Sequence, residues 1–264
     1  MKSVRTTCYR HLNPVLVKST RALSRVRLFE MALDLCMTKL FPNIGIPVLE
    51  SVRSTGSMEG DWDTRAKVDA LIAATAEADE KSTEASAIKA LETRILKGVE
   101  LDGGVAVLEI GCGIGNLLKP LSALAKEVHG VDISGEMLRL ATERLRDCSN
   151  VFLHKTDGHL EMLQDNHFDL VYSSGVFIHF PSKLLVYEYF KEVVRVLKPG
   201  GIFRFHVDGR YYLRWRRRKG GTLRGVVFNP EELRDNLGKF GFRIKEITGS
   251  NSLDMWTTAI LNES

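Results

Sequence analysis

The sequence predicts an α/β fold on a mostly parallel sheet, and three observations carry that prediction. From Gly103 onward, short apolar runs of strand length alternate with helical stretches to the end of the chain. The first of these runs, Val105-Ala106-Val107-Leu108, leads into Gly111, Gly113 and Gly115, a strand-to-helix turn where the missing Cβ atoms let backbone amides approach a ligand. The last two predicted strands, 242–247 and 255–261, have no helix between them and so are expected to pair antiparallel.

The first 27 residues hold Lys2, Arg5, Arg10, Lys18, Arg21, Arg25 and Arg27 without an Asp or Glu. Such a start suits an organelle transit peptide or a helix on an anionic membrane surface. The reading preferred here is a helix packed on the domain, because Leu16, Leu23, Val26, Leu33, Met37 and Leu40 fall near one helical face. A linker around Pro42 and Pro47 ends it. Residues 1–60 are therefore expected to form a basic helical extension and linker, with one domain over 61–264. Residues 64–97 are Ala-rich, charged and helix-permissive. Strands follow at 105–108, 128–131, 151–154 and 168–172; Lys198-Pro199-Gly200-Gly201 closes a helix and opens a fifth strand at 202–207. Asn229, with Pro230, Glu231 and Glu232 behind it, starts a helix that ends before Gly241.

With 264 residues, 44% of them hydrophobic, the chain can bury a full core. It contains no run of 18 apolar residues, so no transmembrane helix is expected. The four cysteines, Cys8, Cys36, Cys112 and Cys148, lack CxxC spacing; no metal site or disulfide framework is expected, and a reducing cytoplasm fits.

Gly111-x-Gly113-x-Gly115 places its third glycine one position earlier than the dinucleotide fingerprint does. Asp132 ends the second strand about 20 residues on, where a carboxylate can accept both hydroxyls of a ribose. Asp157-Gly158 follows the third strand and Ser173-Ser174-Gly175 the fourth. Together these residues line the carboxyl ends of successive strands, where open α/β sheets bind ligands.

In "LEIGCGIGN", "VHGVDIS", "TDG", "FDLVYSSGVFIHF" and "LKPGGIF", residues 105–207 resemble a class I S-adenosylmethionine-dependent methyltransferase. The resemblance implies a Rossmann-like, doubly wound, seven-stranded sheet, mostly parallel with the last strand antiparallel, behind the N-terminal helical extension. It implies S-adenosyl-L-methionine as cofactor: Glu109 and the Gly111, Gly113 and Gly115 loop on the methionine part, Asp132 on the ribose, Ile133 on the adenine, Asp157 with Gly158 at the adenine amino group, and Ser173 and Ser174 near the sulfonium. Cys112, Asn116 and Met137 complete that set. In "GDWDTRAK", Trp62 and Arg65 fit the aromatic and arginine that similar enzymes carry in a helix closing over the cofactor, Arg65 meeting its carboxylate.

Methyl transfer from a sulfonium is an in-line displacement in which positioning does most of the catalytic work. Where the nucleophile must lose a proton, His179 is the first candidate base, ahead of His206 and Asp208, with Tyr172, Tyr211 and Tyr212 as possible substrate contacts. "RYYLRWRRRKGG" at 210–221 suits phosphates with stacked bases, a phosphorylated sugar, or an anionic lipid headgroup; it is also readable as a solvated insert over the substrate pocket. It follows the fifth strand, where the family it resembles usually builds acceptor recognition, and the resemblance so implies a part in acceptor choice. The expected function is methyl transfer to O or N of a small molecule, a sugar-containing or other secondary metabolite, anionic acceptors included. RNA or protein methylation and an inactive cofactor-binding scaffold are the alternatives. Nucleic acid is the less favoured partner, and membrane contact would come through the basic N-terminus.

Overall fold

The computed structural model describes residues 57–75, 80–211 and 225–263. The basic N-terminal segment, apart from 57–60, and most of the arginine-rich stretch lie outside the described residues. Among the described residues two helices precede the sheet, α1 (Met58–Thr75) and α2 (Glu80–Ala90), and a π-helical turn, Leu91–Ile95, continues α2. The sheet then alternates: β1 (Ala106–Ile110), α3 (Leu118–Leu121), β2 (Glu127–Asp132), α4 (Gly135–Arg144), β3 (Val151–Lys155), β4 (Phe168–Ser173), α5 (Lys183–Val196), β5 (Leu197–Val207), α6 (Pro230–Lys239), β6 (Phe242–Thr248) and β7 (Met255–Leu261).

The seven strands lie in the order β3-β2-β1-β4-β5-β7-β6. Strands β1 to β5 pair parallel, and β7 inserts antiparallel between β5 and β6. The order reverses between β1 and β4, which opens a crevice at their carboxyl ends. Each face of the sheet buries its own core. On one, α5 and α6 bring Val186, Phe190, Leu233 and Leu237 onto Leu108, Ile110, Phe203 and Phe205. On the other, the π-helical turn, α3 and α4 bring Leu91, Ile95, Leu118 and Ala141 onto Val107, Val128 and Leu170. A sheet covered on both faces needs near-continuous apolar strands, and β1, Ala-Val-Leu-Glu-Ile, is buried at every position.

One boundary differs from the sequence reading. Lys198–Gly201 was expected to be a turn ahead of the fifth strand, but α5 stops at Val196 and β5 opens at once. Leu197 pairs with Phe168, and pairing resumes only at Ile202 opposite Leu170. The four residues between bulge out opposite Asp169, with Gly200 at φ +77°. Lys198 Nζ holds both carboxylate oxygens of Asp169 at 2.8 Å across the bulge. The helix starts hold as read: Ser134 accepts from Met137 N at the head of α4, and Asn229 accepts from Glu231 N and Glu232 N at the head of α6.

Asn229→Ala removes the acceptor for two otherwise orphaned amides, and we expect it to cost about 1 kcal/mol of unfolding free energy. Urea denaturation of the two proteins measures this, with the midpoint falling and the slope unchanged.

Candidate functional site

The glycine turn forms because only glycine tolerates what the backbone does there. Gly111, Gly113 and Gly115 have φ of +76°, +53° and +77°. A Cβ on Gly111 would come within 2.2 Å of Val176, in the loop after β4, and one on Gly115 within 2.5 Å of Leu145 at the end of α4. The loops after β1 and β4 thus touch directly across the switch crevice. Ser173 Oγ, buried at the end of β4, reinforces this by donating to Ile110 O at 3.2 Å.

Asp132 stands at the carboxyl end of β2, one strand away, and is 9% exposed. One carboxylate oxygen accepts the Gly113 amide at 2.8 Å and the other the Ser134 amide at 2.8 Å. Burial pushes its pKa up, opposed by these backbone amides. Each oxygen keeps a second lone pair, so the group can still accept two hydroxyls. Ile133 beside it is half-buried, and Met137 on α4 is buried.

Glu109 ends up deeper than its partners. It lies opposite Tyr172 in the β1–β4 register, and its Oε2 has no hydrogen-bonding partner among the described residues. Burial pushes its carboxyl up to about 8, with the Tyr172 hydroxyl opposing and Asp132 reinforcing the shift. Tyr172 itself is fully buried, which corrects its reading as a substrate contact. The Cys112 side chain also belongs to the core beneath the turn, packed with Leu118 and Val128, so only its backbone borders the turn. Burial holds its thiol well above the usual value. Asn116 Oδ1 is buried and has no hydrogen-bonding partner among the described residues.

Helix α1 packs along this edge. Ala66, Ile114 and Met137 form a small buried cluster with Trp62 against it. Asp63, which sequence reasoning passed over, accepts from Ser134 Oγ at 2.5 Å and from Glu136 N at 3.2 Å. It thereby fastens α1 to the head of α4, beside Asp132. The Arg65 guanidinium, 5.1 Å from the Trp62 ring centroid and buried, is lowered by that burial, with Asp61 opposing. Trp62 meets the His179 ring edge-on at 5.2 Å, so two residues 117 positions apart in sequence share one corner of the site.

His179 closes a 3₁₀ turn, Phe177–His179, after β4. The chain returning from the arginine-rich stretch runs along this turn: Gly225 N donates to Ile178 O at 2.7 Å and Val226 N to Phe180 O at 2.9 Å. A Cβ on Gly225 would lie 2.3 Å from Phe180 O, so only glycine passes this close. The other expected residues lie as follows. Asp157 is exposed after β3, and Gly158 beside it, at φ +119°, has open space where a Cβ would stand. Ser174 is half-buried. His206 stacks on Trp256 and bonds Leu253 O at 2.9 Å. Asp208 is gripped by the Arg210 side chain at 2.8 and 3.0 Å.

Residues 108–205, from the glycine turn to the middle of β5, match the family model described as a methyltransferase domain. Residues 108–205 thus resemble a methyltransferase domain in sequence, on a seven-stranded, mostly parallel sheet of the Rossmann-like kind. Over 112 residues the domain is 34% identical to phosphoethanolamine N-methyltransferase 2 of Caenorhabditis elegans, 41% of this chain against 25% of that one. Over 117 residues it is 31% identical to the demethylmenaquinone methyltransferase of Staphylococcus carnosus, 43% of this chain against 47% of that one. The chain thus spans less than half the length of these relatives. The crystal structure of an S-adenosylmethionine-dependent methyltransferase from Aquifex aeolicus superposes with a TM-score of 0.52 at 21% identity, over 70% of this chain and all of that one; at that identity the likeness speaks for the fold.

Because the Glu109 carboxyl sits near 8 when folded against an ordinary 4.5, it stays protonated in the folded protein at pH values where the unfolded chain has already ionised it. Its contribution to stability is complete below the unfolded value and is lost as pH rises through the folded one. Glu109→Gln, which cannot ionise, is expected to gain stability relative to the parent between about pH 5 and about pH 9. Urea midpoints of both proteins at the two pH values measure the divergence.

Proposed function

We propose that this chain transfers a methyl group from S-adenosyl-L-methionine to an oxygen or nitrogen of a small molecule. One observation carries the reading most: the Asp132 carboxylate, pinned by the Gly113 and Ser134 amides, stands beside a turn of three positive-φ glycines at the crevice where sheet order reverses. The residues present fit the cofactor. Glu109 Oε2 has a free lone pair, and the sites a Cβ would fill at Gly158 and Gly175 are open. When bound, S-adenosyl-L-methionine supplies a methyl on a positively charged sulfur.

In this reading the Gly111–Gly115 turn and Glu109 hold the methionine part, Asp132 takes the ribose hydroxyls, and Ile133, Met137, Asp157 and Gly158 surround the adenine. Ser173 and Ser174 border the reacting centre. Trp62 and Arg65 on α1 close over it and exclude water, with Arg65 on the carboxylate. His179, held by Trp62, is the residue placed to accept a proton from the acceptor. The arginine-rich stretch leaves the described fold after Tyr211 and re-enters at Gly225 against the His179 turn; that tether supports assigning it to acceptor recognition.

Calorimetry with S-adenosylhomocysteine tests the cofactor assignment. Asp132→Asn keeps the shape but weakens acceptance of two hydroxyls, and we expect a loss of roughly 2–4 kcal/mol in binding; equal affinity would remove the ribose role. Turnover of methyl-labelled cofactor over a panel of phosphorylated amines, quinols and glycosides then separates an enzyme from a cofactor-binding scaffold.

Neutralising Arg214, Arg216, Arg217 and Arg218 together is expected to raise the acceptor KM and leave cofactor affinity unchanged. Tight binding of RNA that weakens steeply with salt, and that this variant loses, would instead mark a nucleic-acid methyltransferase.

A further inference from the structure

The amino-terminal edge of the sheet, opposite the edge that carries the glycine turn, holds a cluster that methyl transfer does not use. Glu127 opens β2 and His129 follows on the same face; His167 immediately precedes β4. Strand β1 runs between β2 and β4, and its residue opposite Glu127 is Ala106, small enough to let the flanking side chains meet above it. His129 Nε2 lies 2.6 Å and His167 Nε2 3.1 Å from the same carboxylate oxygen of Glu127. The three ligand atoms all lie within 4.8 Å of one another.

We propose that Glu127, His129 and His167 bind a divalent zinc-type ion, with water completing a tetrahedral site. Metal–ligand bonds of about 2.0–2.1 Å in a tetrahedron set neighbouring ligand atoms about 3.3 Å apart. The 2.6 and 3.1 Å spacings therefore need to open by less than an ångström. Two imidazoles and one carboxylate are a donor set that suits zinc and its neighbours in the transition series.

A fourth residue gives the cluster the second layer that metal-binding histidines characteristically have. His129 Nδ1 lies 2.9 Å from His154 Nε2, so with the ion on Nε2 the Nδ1–H donates to His154. That bond fixes the tautomer and the ring plane. Phe152 and Phe168 pack on the His129 ring at 5.0 and 5.1 Å and limit its rotation, so the ligand is oriented before any ion arrives. The ion would join β2 to β4 across β1, which makes it a clamp on the parallel sheet. Glu127 and His129 come from β2 and His167 from the segment before β4, and none is a cysteine, so a search for paired cysteines passes over them.

The test is zinc titration of the metal-stripped 264-residue chain against a chromogenic chelator under reducing conditions, with Co²⁺ as the spectroscopic probe. One equivalent should bind, and Co²⁺ should give a tetrahedral nitrogen–oxygen spectrum without thiolate charge transfer. Glu127→Gln and His167→Ala, both at half-exposed positions, should each weaken binding at least tenfold, on the order of second-layer losses or larger. His154→Phe leaves all three ligands in place and should weaken binding by about 10- to 100-fold. Absence of saturable binding, a thiolate spectrum from Cys112 or Cys148, or unchanged affinity in a His167→Ala protein with the parent's circular dichroism would overturn the site. The wild-type Co²⁺ spectrum decides the matter even where a variant fails to fold.

Discussion

The site depends on one buried carboxylate. Asp132 accepts the amide of Gly113 from the turn after β1 and the amide of Ser134 from the head of α4, so a single side chain fixes two loops from adjacent strands. Gly111, Cys112 and Gly115 in the turn donate to backbone carbonyls and Gly113 to this carboxylate, and leaving such an amide buried and unbonded costs about 1–3 kcal/mol. Ser134 passes the constraint on, because its hydroxyl both caps α4 and donates to Asp63 of α1. A chain of hydrogen bonds therefore runs from the sheet through the turn to the helix that covers it.

The rest of the fold supplies the rigidity this arrangement needs. Both sheet faces are buried, so the strand ends cannot shift without disturbing close-packed cores. Gly130, inside β2, shows how tight this packing is: a Cβ there would lie 2.6 Å from Leu118 and 2.9 Å from Cys112. The turn can settle over β2 only because that strand gives up a side chain. Glu109 is the cost of the same packing, a carboxylic acid held in a buried place with its pKa near 8.

Much of this was legible in the sequence because it follows from local rules. The strand alternation, the glycine turn, the caps at Ser134 and Asn229 and the reversed last strand all rest on residues within a few positions of one another. What was not legible depends on distant contacts. Asp63 resembles any acidic residue on a helix until α4 is placed beside it. Tyr172 reads as a possible substrate contact from its place near the end of the fourth strand, yet its register opposite Glu109 buries it. The bulge at Lys198–Gly201 read as a turn, since nothing local says that Leu197 already pairs with Phe168. Gly225 carries no motif at all; its need appears only where the returning chain crosses the His179 turn.

The central claim is that the turn after β1 and the Asp132 carboxylate together form the cofactor site, and a crystal structure with S-adenosylhomocysteine bound tests it most directly. The account predicts the ligand along Gly111–Gly115 with both ribose hydroxyls on Asp132 and its sulfur near Ser173 and Ser174. A ligand seated elsewhere, or one in this crevice with its ribose away from Asp132, would contradict it.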